Sequence, residues 1–381
     1  MRVALFTDGI YPFVVGGMQI HSTLFARNLA QNGKEVDLYY PTPNVSGEER
    51  LPFSVEELKK IKIIEIDWPR IISFPGHYLL ESYIYSRRVR TVYLSREPVD
   101  LIYIQGFSGW ETLRCKKDVD TPTILNFHGY EMFQKMPNWR TWFSLQFFKF
   151  PIKWHMRKAD FIISLGGKLD EIIDSYGMRE KRVNLPIAVE NSWLVSEINE
   201  SNKLLKFLFV GRYERRKGIE EINQAISNLK SDTSFEFHFV GDIPKSVRLD
   251  DPSAIYYGPI TDQDRLQEIY DSCDVLLCPS FSEGMPTVIL EAMSRGLIII
   301  ATDVGAVSEM VTSENGILIQ AGDSHQISEA IYTLRDKEAG YLRAMKSRSV
   351  EIIQKRFTWD VVIQKSLSQF QRIIDIPVEQ A

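Results

Sequence analysis

Across 381 residues, short apolar runs of four to six residues alternate with longer stretches of helical periodicity, and the alternation happens twice. Runs that short fit strands covered on both faces, and the longer stretches fit the helices that cover them. This restricts the chain to a parallel α/β architecture. In the first half, strands are expected at Val3–Thr7, Val36–Tyr40, Ile61–Ile66, Leu101–Ile104, Thr123–Phe127 and Phe161–Ser164. Helices are expected at about Met18–Gln31, stopped by Asn32-Gly33, and at about His77–Ser95. The second series has strands at Lys206–Val210, Glu236–Val240, Val275–Cys278 and Leu297–Ala301. Its helices fall at Glu220–Leu229, Asp264–Asp271, Pro286–Arg295 and Ser324–Leu334. A chain of this length exceeds one ordinary core, so each series reads as its own domain. Val189–Lys203 lacks periodicity and is rich in Asn, Ser and Glu, the character of a linker. The expected units are 1–190, 203–355 and a last segment, 356–381, whose helix Trp359–Ile374 returns to the first unit.

Composition narrows the function classes. The net charge of −5 argues against a nucleic-acid binder. Residues 1–190 carry 25 basic and 22 acidic groups, leaving 20 and 28 for the rest, so the first half is +3 and the second −8. Cys115, Cys273 and Cys278 include no CxxC pair and read as buried thiols of a reducing compartment. The opening run Arg2–Thr7 is too short for a secretion signal, and no apolar run approaches the ~20 residues that span a bilayer. A cytosolic protein, or one on the inner face of a membrane, is expected. The glycines after the first strand (Gly9, then Gly16-Gly17) do not make the dinucleotide pattern G-x-G-x-x-G. There is no phosphate-binding G-x-x-x-x-G-K-[ST] and no His/Cys cluster, so no metal site is expected. Asp262-Gln263-Asp264 stands just before a helix, where an Asp caps the free amides.

In parallel α/β folds, ligands lie at the carboxyl ends of strands, so the loops that follow strands carry the chemistry. Phe209-Val210-Gly211-Arg212, followed by Lys217-Gly218, ends a strand on a glycine that allows close backbone approach and places two cations around a turn. Arginine offers a planar fork to phosphate oxygens and lysine a movable charge. The same residues, with Arg215 and Arg216, also suit a solvated basic turn. Ser282-Glu283-Gly284-Met285-Pro286-Thr287 runs into Val288–Glu291, with Pro286 at the first position of a helix and Gly296 past its end. The free amides of that helix make an anion site. Glu283 and Glu291 are about 12 Å apart along a helix axis, too far for the paired carboxylates of a glycosidase.

These motifs resemble the family-4 retaining glycosyltransferases of GT-B fold, also called group 1. The resemblance rests on Val210-Gly211-Arg212-x4-Lys217-Gly218 and Glu283-x7-Glu291, joined by Ala301–Ala306 with Glu309, Gly16-Gly17 and Asn126–Gly129. It implies two Rossmann-like domains facing across a cleft. It implies that Arg212 and Lys217 hold the diphosphate of a nucleoside-diphosphate sugar, aided by amides at Thr287 and Val288 and in the Gly16-Gly17 loop. Glu283 would bind hydroxyls of the transferred sugar, Glu291 the ribose, and His128 the sugar from the opposite domain. Pro259 and Ile260 would contact the base through their backbone, and Gly211, Gly284, Met285 and Pro286 would line the donor. Gly305-Ala306 stands where the family often has Gly-Gly, and Met285 where a bulkier apolar residue is usual; both touch donor-sugar shape. The implied chemistry is same-face transfer without metal or other cofactor, the leaving phosphate taking the acceptor's proton. A glycan or lipid-linked acceptor of bacterial surface polysaccharide or glycolipid synthesis is the implied partner. A sugar-nucleotide epimerase of the same fold would need acid/base pairs in the cleft. A non-catalytic relative would not need Glu283, Arg212 and Lys217, and a nicotinamide oxidoreductase lacks its fingerprint.

One stretch remains. Lys135–Lys158 holds seven aromatics and six cations (Lys135, Arg140, Lys149, Lys153, Arg157, Lys158) without a single acid. Residues 139, 143, 147, 150 and 154 recur at helical spacing, the pattern of a helix lying on an anionic membrane. Arg87, Arg88 and Arg90 would add to that face. The alternative is a core helix with solvated cations. Pro151 is expected to kink the helix or split it in two.

Overall fold

The computed structural model describes residues 1–43, 51–72, 76–198, 204–229 and 234–376. Its two sheets are wholly parallel. The first has β1 (Arg2–Phe6), β2 (Glu35–Pro41), β3 (Ile61–Ile66), β4 (Leu101–Gln105), β5 (Thr123–Asn126), β6 (Phe161–Ser164) and β7 (Arg182–Asn184), in the order β3-β2-β1-β4-β5-β6-β7. The second has β8 (Leu205–Val210), β9 (Phe235–Val240), β10 (Ala254–Gly258), β11 (Val275–Cys278), β12 (Ile298–Thr302) and β13 (Gly316–Ile319), in the order β10-β9-β8-β11-β12-β13. The central strands are buried along almost their whole length, as helices on both faces require. Strand order reverses between β1 and β4 in one sheet and between β8 and β11 in the other, so each sheet opens a crevice at its carboxyl edge there. One apolar cluster covers the first sheet and continues onto the face of the second that carries Leu276, against Ile289 of the covering helix; a separate cluster fills the other face.

The expected strands fall within a residue or two of these limits. β7, β10 and β13 had no place in the expectation; all three are short edge strands, and β7 and β10 bury little. Lys168–Ser175 and Ala339–Arg356 are further helices outside it. The second is dominated by charged and polar residues, which hides its periodicity. Of the linker, residues 199–203 lie outside the described residues, as do 377–381 of the last segment. Helix Trp359–Ile374 packs on the first sheet's helix Gly17–Gln31. Phe370 meets Phe25 at 6.0 Å and Tyr103 at 5.9 Å, and Gln364 bonds Asn32 at 2.8 Å.

The aromatic stretch differs from expectation in two ways. Trp139–Lys158 is a single helix, with Pro151 inside it and buried. The Pro151 carbonyl accepts a bond from His155 Nδ1 at 2.7 Å, and the second half of the helix is walled in by Phe107 and Trp110. Trp154 turns inward against Trp110 and so leaves the stripe, and Lys149 and Lys153 lie over Phe133 instead of beside it. Trp139, Trp142, Phe143, Phe147 and Phe150 are exposed, up to 76% for Phe150. Among the described residues no helix is long and apolar enough to cross a membrane.

His155 is fully buried, and its Nε2 has no hydrogen-bond partner among the described residues. Burial pushes its imidazole down to about 4, below the ordinary 6.5. The folded value lies under the unfolded one, so its stabilising share is complete above pH 6.5 and is lost as pH falls toward 4. Urea titrations of the wild type and His155→Leu test this. The wild type's stability relative to the variant should fall below pH 6.5 by up to about 1.4 kcal/mol per pH unit. A difference that does not change with pH would contradict it.

Candidate active site

The site starts at the end of β8. Gly211 leads into a loop whose last turn, Arg215–Lys217, is a 3-10 helix ended by Gly218 at φ +77°. A Cβ at 218 would stand 2.3 Å from the carbonyl of Pro279, so only glycine fits both the turn and the close approach. This packing aims Arg216 and Lys217 at the loop after β11. Lys217 Nζ lies 2.7 Å from Glu283 Oε1, and Arg216 Nη1 lies 3.3 Å from the same oxygen. Arg216 also donates to the Ser282 carbonyl, and its own carbonyl accepts from the Phe281 amide. Glu283 is only 6% exposed. Burial pushes its carboxyl up, but the charges of Lys217 and Arg216 outweigh that and hold it below its usual range. The loop is thus an anion locked under two cations.

The second domain therefore places its expected cations unequally. Lys217 is at the centre. Arg212 is 80% exposed and pairs with Glu214 at 3.2 Å, off to the side. The inner guanidinium is that of Arg216, which the spacing had placed only in a basic turn; it shares Glu214 with Arg212. Arg215 faces away to Glu221 and stacks on Phe281.

The first domain closes on this loop. His128 follows β5 at φ +60°, its N–H bonded to Asn126 Oδ1 and its Nε2 2.5 Å from Gln105 Oε1. Burial, helped by the neighbouring His21, drives its pKa well below the ordinary value, so the ring is neutral at neutral pH. The His128 carbonyl rests on Gly284: a Cβ there would come within 1.8 Å of it. Gln134 clamps the Glu283 backbone, donating to its carbonyl at 2.7 Å and accepting from its N–H at 3.3 Å. Lys168 pairs with Asp303 at 2.9 Å, and its amide bonds the Gly305 carbonyl at 2.8 Å. The loop after β12 packs on the loop after β11 through Ala306 N–H to the Gly284 carbonyl.

Helix Thr287–Ser294 starts beside this cluster. Pro286 caps it, one position earlier than expected, and no side chain occupies the cap. Met285 and Pro286 are buried, Thr287 is exposed and Val288 half-buried. Glu291, about one turn in, accepts a bond from Tyr270 at 2.9 Å, and burial pushes its carboxyl up. Across the cleft, helix Gly17–Gln31 also begins without a side-chain cap; Gly16 touches Gln19, and Gly17 is open. Pro259 and Ile260 follow Gly258 at the end of β10, with Pro259 exposed. Asp262 caps its helix through the Arg265 amide at 2.8 Å. Glu283, Lys217, Gly284 and His128 thus meet in one place. Gln134 and Arg216 join them, although nothing in their spacing marked them.

Comparison with known proteins identifies the family and the fold. Residues 15–185 match the family described as Glycosyltransferase Family 4, and residues 205–337 match Glycosyl transferases group 1. The chain belongs to these family-4, group 1 glycosyltransferases. It is 28% identical over 59% of its length to TuaC of Bacillus subtilis, a glycosyltransferase named for teichuronic acid biosynthesis, of which it spans 58%. It is 25% identical to an uncharacterized glycosyltransferase of Methanocaldococcus jannaschii over 96% of this chain and 97% of that one. It is 27% identical, over 57% of this chain and 58% of the relative, to an N,N'-diacetylbacillosaminyl-diphospho-undecaprenol alpha-1,3-N-acetylgalactosaminyltransferase of Campylobacter jejuni. The fold matches sucrose-phosphate synthase from Thermosynechococcus elongatus with a TM-score of 0.76, covering 98% of each chain at 18% identity. It also matches Anabaena HepE in complex with UDP-glucose, with a TM-score of 0.65 over 98% of this chain and 100% of that one at 14% identity. The glycosyltransferase is therefore of GT-B fold.

The cluster makes a stability prediction for the glycosyltransferase. Removing one partner of a buried ion pair leaves the other uncompensated. Lys217→Met and Glu283→Gln should each destabilise, and the double variant should be more stable than their sum implies by about 1–3 kcal/mol in urea titrations. Additive effects would contradict a direct pair.

Proposed function

We propose that the chain transfers a sugar, with retention of configuration, from a nucleoside-diphosphate sugar to a hydroxyl of a glycan or lipid-linked acceptor, without a metal. The observation that carries this reading is the Lys217–Arg216–Glu283 cluster, set at an uncapped helix start between the crevices of the two sheets. In it, cations for a diphosphate adjoin a carboxylate for sugar hydroxyls. When a donor binds, its phosphates take over Lys217 and Arg216, and Arg212 swings from Glu214 to add a second guanidinium fork. The amides of Thr287 and Val288, and of the Gly16-Gly17 turn, complete the anion site. Fixed cations stabilise the charge that grows on the leaving phosphate. Glu283, released from its pairs, accepts from hydroxyls of the sugar, while Glu291 accepts from the ribose and the backbone at Pro259 and Ile260 meets the base. The neutral His128 contacts the sugar from the first domain. The acceptor approaches the face the diphosphate leaves, and a phosphate oxygen takes its proton. The binding of UDP-glucose by the similarly folded HepE supports this donor class.

Glu283→Gln should therefore slow hydrolysis of the preferred nucleotide-sugar at least about 100-fold, equivalent to about 2.7 kcal/mol, and turnover should survive EDTA. Near-wild-type turnover in the variant, or activity lost to EDTA and restored by magnesium, would contradict these roles.

The acceptor side carries the exposed aromatic stripe. Trp139, Trp142, Phe143, Phe147 and Phe150, with Arg140 over Trp139 and exposed Arg157 and Lys158, suit an anionic bilayer on its cytoplasmic face. A lipid-linked acceptor, as the name of the Campylobacter relative describes for that enzyme, would be presented there. Co-sedimentation with phosphatidylglycerol vesicles should detect binding that weakens in high salt. It should fall at least about fivefold when Trp139, Phe143, Phe147 and Phe150 become Ser. No binding at low salt would contradict the docking face.

A further inference from the structure

A carboxyl beside the cluster has no role in the scheme above. Glu131 opens the 3-10 turn Glu131–Phe133, just after His128 on the first domain. Its side chain folds back over Gly129, with Oε1 2.7 Å and Oε2 3.2 Å from where a Cβ at 129 would stand. The Gly129 Cα is itself 3.2 Å from where a Cβ at Gly284 would stand. Gln134, whose amide bonds the Glu131 carbonyl, holds the Glu283 backbone. The carboxyl thus reaches the seam from the first domain, whereas Glu283 reaches it from the second. Arg216, Lys217 and Glu283 all act on its charge, and burial pushes it up. No hydrogen bond or ion pair links it to any other described residue.

Glu131 is partly buried, and its carboxyl meets only its own backbone N–H, so it keeps acceptor capacity that a ligand's donor can fill. Arg216 and Lys217 are both turned to Glu283 and, on the reading above, go to phosphate when a donor is bound. What then stands between Glu283 and the Gly129 turn is the sugar ring, which presents hydroxyls on both of its edges.

We propose that Glu131 is a specificity-determining residue of the donor sugar: it accepts a hydrogen bond from one sugar hydroxyl, so that carboxylates from both domains grip the ring when the cleft is closed. This rests on the nucleotide-sugar reading of the site. Two consequences follow. The nucleotide alone is indifferent to Glu131, and a donor lacking the contacted hydroxyl is indifferent to it as well.

Hydrolysis of UDP-glucose, UDP-galactose and UDP-N-acetylglucosamine isolates the donor from any glycan acceptor. With the donor that the wild type hydrolyses, Glu131→Gln should lower the rate about tenfold or more, the worth of one hydrogen bond to a charged group. UDP affinity and melting temperature should stay at wild-type values. Among monodeoxy analogues of that donor, one should be hydrolysed equally by the two proteins. An unchanged rate in Glu131→Gln, a parallel loss of UDP affinity, or a rate gap that persists with every monodeoxy donor would overturn the assignment. If the wild type hydrolyses no nucleotide-sugar, the reading of the site fails and takes this assignment with it.

Discussion

A carboxylate taken out of water has to find positive charge, and Glu283 finds it in Lys217 and Arg216. That pairing orders the cleft. The two cations can meet one carboxylate only because the loop after β8 turns tightly at Gly218 against Pro279. Glu283 can be that deep only because the first domain covers it, with the His128 carbonyl on Gly284 and Gln134 on its backbone. Without the pairing, closure would bury an uncompensated charge. Without closure, the pair would be an exposed ion pair worth little. On the proposed reading, the same cluster is a resting form of the donor site, in which the carboxylate would give up its cations to phosphates and turn to hydroxyls.

The fold was largely legible from periodicity, because buried central strands are continuous apolar runs and the helices between them carry caps and stops. β10 reads Ala-Ile-Tyr-Tyr-Gly and β7 is three residues long. Such edge strands have one neighbour and little burial to encode. Of the candidate site, the resemblance in the loops after strands marked Lys217, Glu283 and His128, which the structure brings together at the domain seam. The site was not legible where position depends on a turn or on the other domain. Arg212 and Arg216 are indistinguishable as letters, and only the 3-10 turn decides which guanidinium faces inward. Gln134 and Glu131 gain meaning only once the domains meet.

The aromatic helix shows the limit of periodicity from the other direction. Spacing correctly places residues 139, 143, 147 and 150 on one face, yet Trp154 on the same face is turned inward. Periodicity states which side chains share a face, not whether a neighbouring element covers it. Here the helix ending at Arg114 brings Trp110 over the far half and leaves the near half bare.

The most direct test of the donor site is a crystal structure of the chain with the nucleotide-sugar it hydrolyses. The expected result has the diphosphate on Lys217 and Arg216, sugar hydroxyls on Glu283, and the ribose on Glu291. A diphosphate bound elsewhere, with Lys217 still paired to Glu283, would contradict the account.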